Sequence, residues 1–95
     1  MEFDWNNSPL DLSEPLTSRD VEESFEDPFA IRLLPDSGKL SSQSRYFNLG
    51  QAAAGSGIFS IFRTNGKIFR VIHSRVFTPE EQFFYFKKRD KMLTG

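Results

Sequence analysis

Cysteine is absent from this 95-residue chain, which excludes disulfide bonds, thiolate metal ligands and thiol catalysis. Histidine occurs once, at His73, so a zinc site built on several histidines is not expected. No apolar run approaches the roughly 18–20 residues that a membrane span needs, and the amino terminus lacks the basic start of a signal peptide. We therefore expect a single domain over residues 1–95, cytoplasmic, with no metal, no cofactor and no membrane contact.

The chain also has almost no net charge, at −1, but its charges are divided unevenly. Residues 1–36 contain ten acids and two bases, a net of −8, whereas residues 37–95 contain three acids and ten bases, a net of +7. Such asymmetry between halves indicates a charged partner. The alternative is that the two halves neutralise each other inside one small structural protein.

The first third of the chain predicts a strand and a helix. Residues 2–5 alternate polar and aromatic side chains, as a short strand does. Thr17 has capping-box spacing with the aspartate three residues later, at the start of a helix over 17–26. In that helix Val21 and Phe25 are four residues apart and form one apolar stripe against the core.

The remainder predicts strands followed by a second helix. Four strands are expected, over residues 29–34, 45–50, 58–63 and 67–74. A turn at 35–38 and a polar loop at 39–44 separate the first two, and Asn65-Gly66 is a hairpin signal. Thr78 begins a helix, with proline next and glutamate three residues on. The order predicts an α+β fold: a mainly antiparallel sheet of four to five strands with an N-terminal and a C-terminal helix.

Basic residues of the last third are the candidates for binding. Arg63, Lys67, Arg70 and Arg75 lie on one predicted hairpin and its exit. Arginines on a sheet near aromatic rings can hold a phosphate backbone while a base stacks. In a regular strand, Lys67, His73 and Arg75 would share one face and Arg70 would lie on the other. The alternative is that these bases pair with the acidic first half.

Three further side chains are candidates for proton transfer. Histidine as a residue type suits general acid or base work near neutral pH, so His73 is one candidate, although a lone histidine in a strand is also a common structural group. Glu81 and Tyr85, four residues apart, share one helix face. Glu81 also fits the capping box with Thr78, and Tyr85 also fits the core.

Several segments form an ordered set. They are Phe3-Asp-Trp5, Phe25-Glu-Asp-Pro28, Arg45-Tyr-Phe-Asn-Leu-Gly50 and Phe69-Arg70-Val71-Ile72-His73-Ser74-Arg75, followed by Thr78, Glu81 and Tyr85. This set resembles the BrnT family of bacterial toxins over most of the chain. The family's usual Ser-Ala before the second arginine is His73-Ser74 here, and its small residue after that arginine is Phe77.

The resemblance implies a RelE-like fold and a toxin of a type II toxin–antitoxin system. Such a toxin is a metal-independent endoribonuclease that cleaves RNA and inhibits translation and growth. Its partner would be a ribbon-helix-helix, BrnA-like antitoxin that neutralises it and binds operator DNA, so the toxin would meet that DNA only through the antitoxin. The positions carried over are Arg45, Gly50, Arg70, Arg75, Thr78, Glu81 and Tyr85.

In the chemistry implied, the ribose 2′-hydroxyl attacks the adjacent phosphate. Arg70 and Arg75 would stabilise charge on the phosphoryl oxygens, and Tyr85, Glu81 or His73 would handle protons. The residues expected to bind RNA are Arg45, Arg63, Lys67 and Lys88. The alternative is a non-catalytic module of the same fold that binds an antitoxin-like protein or nucleic acid.

Overall fold

A mixed β-sheet carries two helices in this computed structural model, which describes residues 2–5, 11–12, 16–33 and 45–94. The elements are β1 (Glu2–Phe3), β2 (Asp11–Leu12), α1 (Ser18–Glu26), β3 (Ile31–Leu33), β4 (Tyr46–Gln51), β5 (Gly57–Thr64), β6 (Ile68–Val76) and α2 (Pro79–Thr94). The predicted turn at 35–38 and loop at 39–44 lie outside the described residues.

The sheet order is β1-β6-β5-β4-β3, and β2 pairs with β6 further along the same strand as β1. From β3 to β6 all pairs are antiparallel, whereas β1 and β2 run parallel to β6. The predicted α+β fold with a mainly antiparallel sheet and a helix near each end is therefore confirmed. The two short parallel strands come before α1 in the chain, and both lie beside β6 and run in its direction.

Helix α1 begins at the predicted capping box and packs one face on the sheet. Thr17 Oγ1 accepts from the Asp20 backbone N–H at 3.2 Å, and Asp20 Oδ2 accepts from the Thr17 N–H at 3.1 Å. Val21 and Phe25 are fully buried, and the Phe25 ring meets the Phe62 ring edge-on with centroids 4.9 Å apart. The apolar stripe that the spacing predicts is thus the one that fills the core.

Close approach between α1 and β4 depends on a glycine. A Cβ at Gly50 would lie 1.9 Å from the Ser24 carbonyl oxygen, so only glycine fits there. Beside it, Asn48 Nδ2 donates to the same Ser24 oxygen at 3.3 Å. Next along the sheet, the Ser60 and Ser74 hydroxyls are 2.8 Å apart and fully buried. A polar layer therefore crosses the core, with its side chains hydrogen-bonded as burial requires.

The β5–β6 hairpin turns at Asn65-Gly66, as predicted, but its backbone conformation differs from that of a two-residue hairpin turn. Gly66 has φ +96°, while Asn65 keeps a negative φ. Asn65 Oδ1 instead accepts from the Lys67 and Ile68 backbone N–H groups, each at 2.9 Å. The turn is thus a longer loop closed by an asparagine side chain, not a two-residue turn with both φ values positive.

Helix α2 starts at its predicted cap and lies against the face of the sheet opposite α1. Thr78 Oγ1 accepts from the Glu81 N–H at 3.2 Å, and Glu81 Oε1 accepts from the Thr78 N–H at 2.9 Å. A Cβ at Gly57 would meet the Phe77 ring at 2.2 Å, whereas at Gly50 it would meet α1. The added Cβ atoms would therefore project from opposite faces of the sheet. The segment that leads into α2 lies on one face, and α1 lies on the other.

Candidate functional site

A bulge in β6 decides which side chains meet. Ser60 pairs with Ser74 and Ile61 with His73, but the next residue, Phe62, pairs with Val71. Ile72 is therefore the extra residue, and the alternation of β6 changes phase across it. In a regular strand, Arg70 would lie on one face of the sheet and His73 on the other.

The bulge brings Arg70 onto the same face as His73 and Arg75. On β5, Ile61 and Arg63 are two residues apart and so share a face of the sheet. Ile61 pairs with His73 and Arg63 pairs with Arg70, so these two β6 residues lie on that same face. We call Arg63, Arg70, His73 and Arg75 the basic face. The expectation that Arg70 lies on the other side from His73 and Arg75 is wrong, because it assumed a regular strand.

Aromatic rings lie on the basic face beside these cations. Phe47 and Phe59 are cross-strand neighbours on β4 and β5, with near-parallel rings whose centroids are 5.7 Å apart. The Arg75 guanidinium lies 4.3 Å from the Phe59 ring centroid. Arginine over an aromatic face gains a cation–π interaction, and both flat groups offer a surface on which a base can stack.

Arg75 is held by Glu81 in a two-point ion pair. The Arg75 Nη1 and Nη2 atoms donate to the two Glu81 carboxylate oxygens at 2.7 and 2.9 Å. The hydrogen bonds from Arg75 lower the pKa of Glu81 and outweigh burial, which raises it, and the same hydrogen bonds raise the pKa of Arg75. Since Glu81 also caps α2 at Thr78, this one carboxylate joins the helix start to the basic face.

Arg70 meets the acidic first half of the chain. Its Nη2 lies 3.4 Å from Asp4 Oδ2, and its side chain remains 53% exposed. An exposed pair of this kind contributes little to stability, about 0–1 kcal/mol. The contact supports the interpretation in which the two charged halves pair, but it leaves about half of the Arg70 side chain in solvent.

Tyr85 is buried and hydrogen-bonded, so its position is that of a core residue. Only 1% of it is exposed, and its hydroxyl donates a short hydrogen bond to Asp27 Oδ2. Burial, with the nearby Asp27 carboxylate, raises the pKa of Tyr85 well above its usual range. This geometry favours the structural interpretation of Tyr85 over proton transfer.

Asp27 is the organising residue that sequence reasoning missed. It accepts from the Gln51 backbone N–H at 2.8 Å and the Phe29 N–H at 2.9 Å, besides the Tyr85 hydroxyl. One carboxylate thus joins the end of α1, strand β4 and α2. The only signal available was the Asp-Pro after the first helix, which predicts a helix end and says nothing of β4 or α2.

The expected RNA-binding residues are spread over the molecule. Arg63 belongs to the basic face and is half-buried, and its Nε has no hydrogen-bond partner among the described residues. Arg45 is exposed just before β4, Lys67 is exposed in the β5–β6 turn, and Lys88 is exposed on α2. Of these four, only Arg63 joins the arginines of β6.

Comparisons with known proteins add no assignment. No protein-family model matches the chain, and no curated protein sequence matches it. Over the described ranges, no helix is long and apolar enough to cross a membrane. In the same ranges, no group of three or more potential metal-ligating side chains comes together. The resemblance to BrnT toxins stays a prediction.

Proposed function

We propose that the chain binds single-stranded RNA on its basic face and cleaves it as a metal-independent endoribonuclease of the BrnT-like toxin class. The observation that carries the proposal is the β6 bulge, since it gathers Arg70, His73 and Arg75 beside the stacked Phe47 and Phe59. Cations for phosphates and rings for bases are the two parts that single-strand binding needs.

The roles on the face follow from chemistry. Arg70 and Arg75 are guanidinium donors that suit the non-bridging phosphate oxygens, whose charge grows as the 2′-hydroxyl attacks. His73 supplies the imidazole of the basic face and is the candidate to accept the 2′-hydroxyl proton or to protonate the leaving 5′-oxygen. Glu81 orients Arg75 in this scheme, and Tyr85 holds α2 in place.

The proposed biological setting follows the resemblance. The toxin would act in the cytoplasm and inhibit translation and growth, and a ribbon-helix-helix, BrnA-like antitoxin would neutralise it and carry the complex to operator DNA. Induced expression should arrest growth, and co-expression of a BrnA-like antitoxin that binds the chain should restore growth. Harmless expression of the chain alone would contradict the toxin part of the proposal.

Cleavage and binding are tested on the purified full chain with single-stranded RNA in the presence of EDTA. We expect cleavage that Arg70→Ala and His73→Ala each abolish. Arg70→Ala should also lower the slope of log affinity against log salt by about 1, the effect of one lost phosphate contact. Arg19→Ala is the matched control, because Arg19 is a highly exposed arginine on α1, which packs on the opposite face. If the folded protein neither binds nor cleaves the RNA, the proposal is overturned.

One observation favours a second function, a non-catalytic module that binds RNA or protein. Arg75 already has both of its terminal nitrogens on Glu81, and the Tyr85 hydroxyl is buried. Three of the expected catalytic groups, Arg75, Glu81 and Tyr85, are thus engaged within the domain. RNA binding that depends on Arg70 without any cleavage would select this second function.

A further inference from the structure

One face of α2 carries an apolar stripe that remains largely in solvent. The stripe follows the spacing of a helix face, and its apolar members are Pro79, Phe83, Phe86 and Leu93. Asp90 lies on the same face, between Phe86 and Leu93. Phe83 is 70% exposed and Leu93 is 65% exposed. A groove of about 590 Å³ runs along it, lined by Pro79, Gln82, Phe83, Phe86, Lys87 and Asp90. Contiguous exposed apolar surface of this kind marks interaction sites.

The stripe is not what attaches α2 to the domain. That attachment uses Glu81, Tyr85 and Arg89, which recur every four residues and so share another face. Glu81 binds Arg75, Tyr85 is buried, and Arg89 Nη1 donates to Gln51 Oε1 at 3.5 Å. Phe86 is half-buried, with the Arg89 guanidinium 4.5 Å from its ring centroid. Phe83 and Leu93 are mostly exposed, so packing against the domain does not explain these two apolar residues.

Basic side chains border the stripe. Residues 87–94 contain four cations and one anion, and helix geometry puts Lys87 and Lys91 along one edge of the stripe. The Lys87 ammonium lies 5.9 Å from the Phe83 ring centroid. A ligand on the stripe therefore meets a positive border, which favours an occupant carrying negative charge beside its apolar contacts.

A second copy of this chain fits the stripe poorly. The antiparallel arrangement that sets Phe83 against the Leu93 of another copy is centred on Lys88, so the cations of both copies would gather at the middle. Like charges brought together disfavour this pairing.

We propose that the α2 stripe docks an amphipathic helix of a partner protein whose apolar residues are flanked by Asp and Glu. The 16 residues of α2 span about 24 Å, enough for roughly four turns of side-by-side helix contact. The partner's leucine-like residues enter the groove around Phe83, and its carboxylates meet Lys87 and Lys91. This inference does not rest on the proposed RNA function, because the stripe lies outside the basic face.

The test uses two synthetic helical peptides of equal length with the same leucine stripe, one flanked by Glu and the other by Lys. We expect the full chain to bind the Glu peptide at least about tenfold more tightly at low salt, because the border charges are exposed and salt screens them. Phe83→Ser should weaken that binding about tenfold or more. Ile68→Ser is the control, since Ile68 is an exposed apolar residue at the far end of β6.

A charge reversal makes the test sharper. The double variant Lys87→Glu and Lys91→Glu should prefer the Lys peptide instead, and its circular dichroism should match that of the parent because both sites are exposed. Equal binding of the two peptides, or binding unchanged in Phe83→Ser, would overturn the proposal. If the chain self-associates and Phe83→Ser abolishes this, the proposed partner helix is wrong and the stripe binds a second copy of the chain instead. RNA binding should be unchanged in Phe83→Ser, which separates this result from the proposed RNA function.

Discussion

Replacing Gly50 with alanine should disrupt the contact between α1 and the sheet. The added Cβ would lie 1.9 Å from the Ser24 carbonyl oxygen and 2.8 Å from its carbonyl carbon, where ordinary contacts begin near 3.4 Å. The obstacle is helix backbone, so it cannot rotate aside as a side chain would. Either α1 moves away by about 1.5 Å or β4 bends by as much.

The size of the effect follows from what such a shift disturbs. Val21 and Phe25 are fully buried on the same helix, and the Asn48 side chain donates to the Ser24 oxygen that would be displaced. Overpacking a core costs about 1–3 kcal/mol, and a clash with backbone belongs at the top of that range. We therefore expect Gly50→Ala to lower the free energy of unfolding by about 3 kcal/mol, or the Tm by at least about 12 °C for a domain of this size.

The assay is urea unfolding followed by circular dichroism, with Gly66→Ala as the matched control. Gly66 has φ +96° but open space around it, so alanine there costs only the backbone strain of about 1–2 kcal/mol. The two variants separate steric obstruction from conformational strain. If Gly50→Ala is no less stable than Gly66→Ala, the close approach of α1 to β4 is wrong.

Three other changes test the remaining packing. Because Arg75 lowers the pKa of Glu81, their pairing stabilises the fold above the ordinary glutamate pKa and is lost as pH falls through the lowered value. Glu81→Gln should therefore show a smaller loss of stability on acidification, measured by urea midpoints across pH. Tyr85→Phe should cost about 1–3 kcal/mol through the lost hydrogen bond to its carboxylate partner, and equal stability in thermal melts would contradict it. Ser74→Ala should cost about 1–3 kcal/mol by leaving the buried Ser60 hydroxyl unpaired, whereas changing both serines to alanine should cost less than the two single changes summed, as a double-mutant cycle would show.

Local signals predicted the elements well because each depends on neighbours in sequence. Thr17 and Thr78 cap their helices through bonds that reach three residues, and Val21 with Phe25 defines a buried face through helix spacing alone. Strand positions followed from alternation and from the turn at Gly66. The strand boundaries moved by one or two residues, because pairing with another strand, which local signals do not contain, sets the end of a strand.

The candidate site was harder to predict because its key features are contacts between distant segments. Asp27 and Tyr85 are 58 residues apart and no spacing rule joins them. The position of Arg70 changed faces because of one extra residue in β6, and a bulge is decided by how β6 pairs with β5. Arginines in a strand signal a binding surface, but which of them share it depends on register.

By itself, the sequence determined what chemistry the chain can carry. Without cysteine it has no thiol chemistry, His73 is its one imidazole, and ten of its twelve bases lie in residues 37–95. It also determined where each helix begins, since caps are local. Only the tertiary structure decided that Arg70, His73 and Arg75 share one face, and that Phe83 and Leu93 face solvent while Tyr85 is buried. The physical reason is that strand register and burial are set by pairing and packing between segments far apart in sequence.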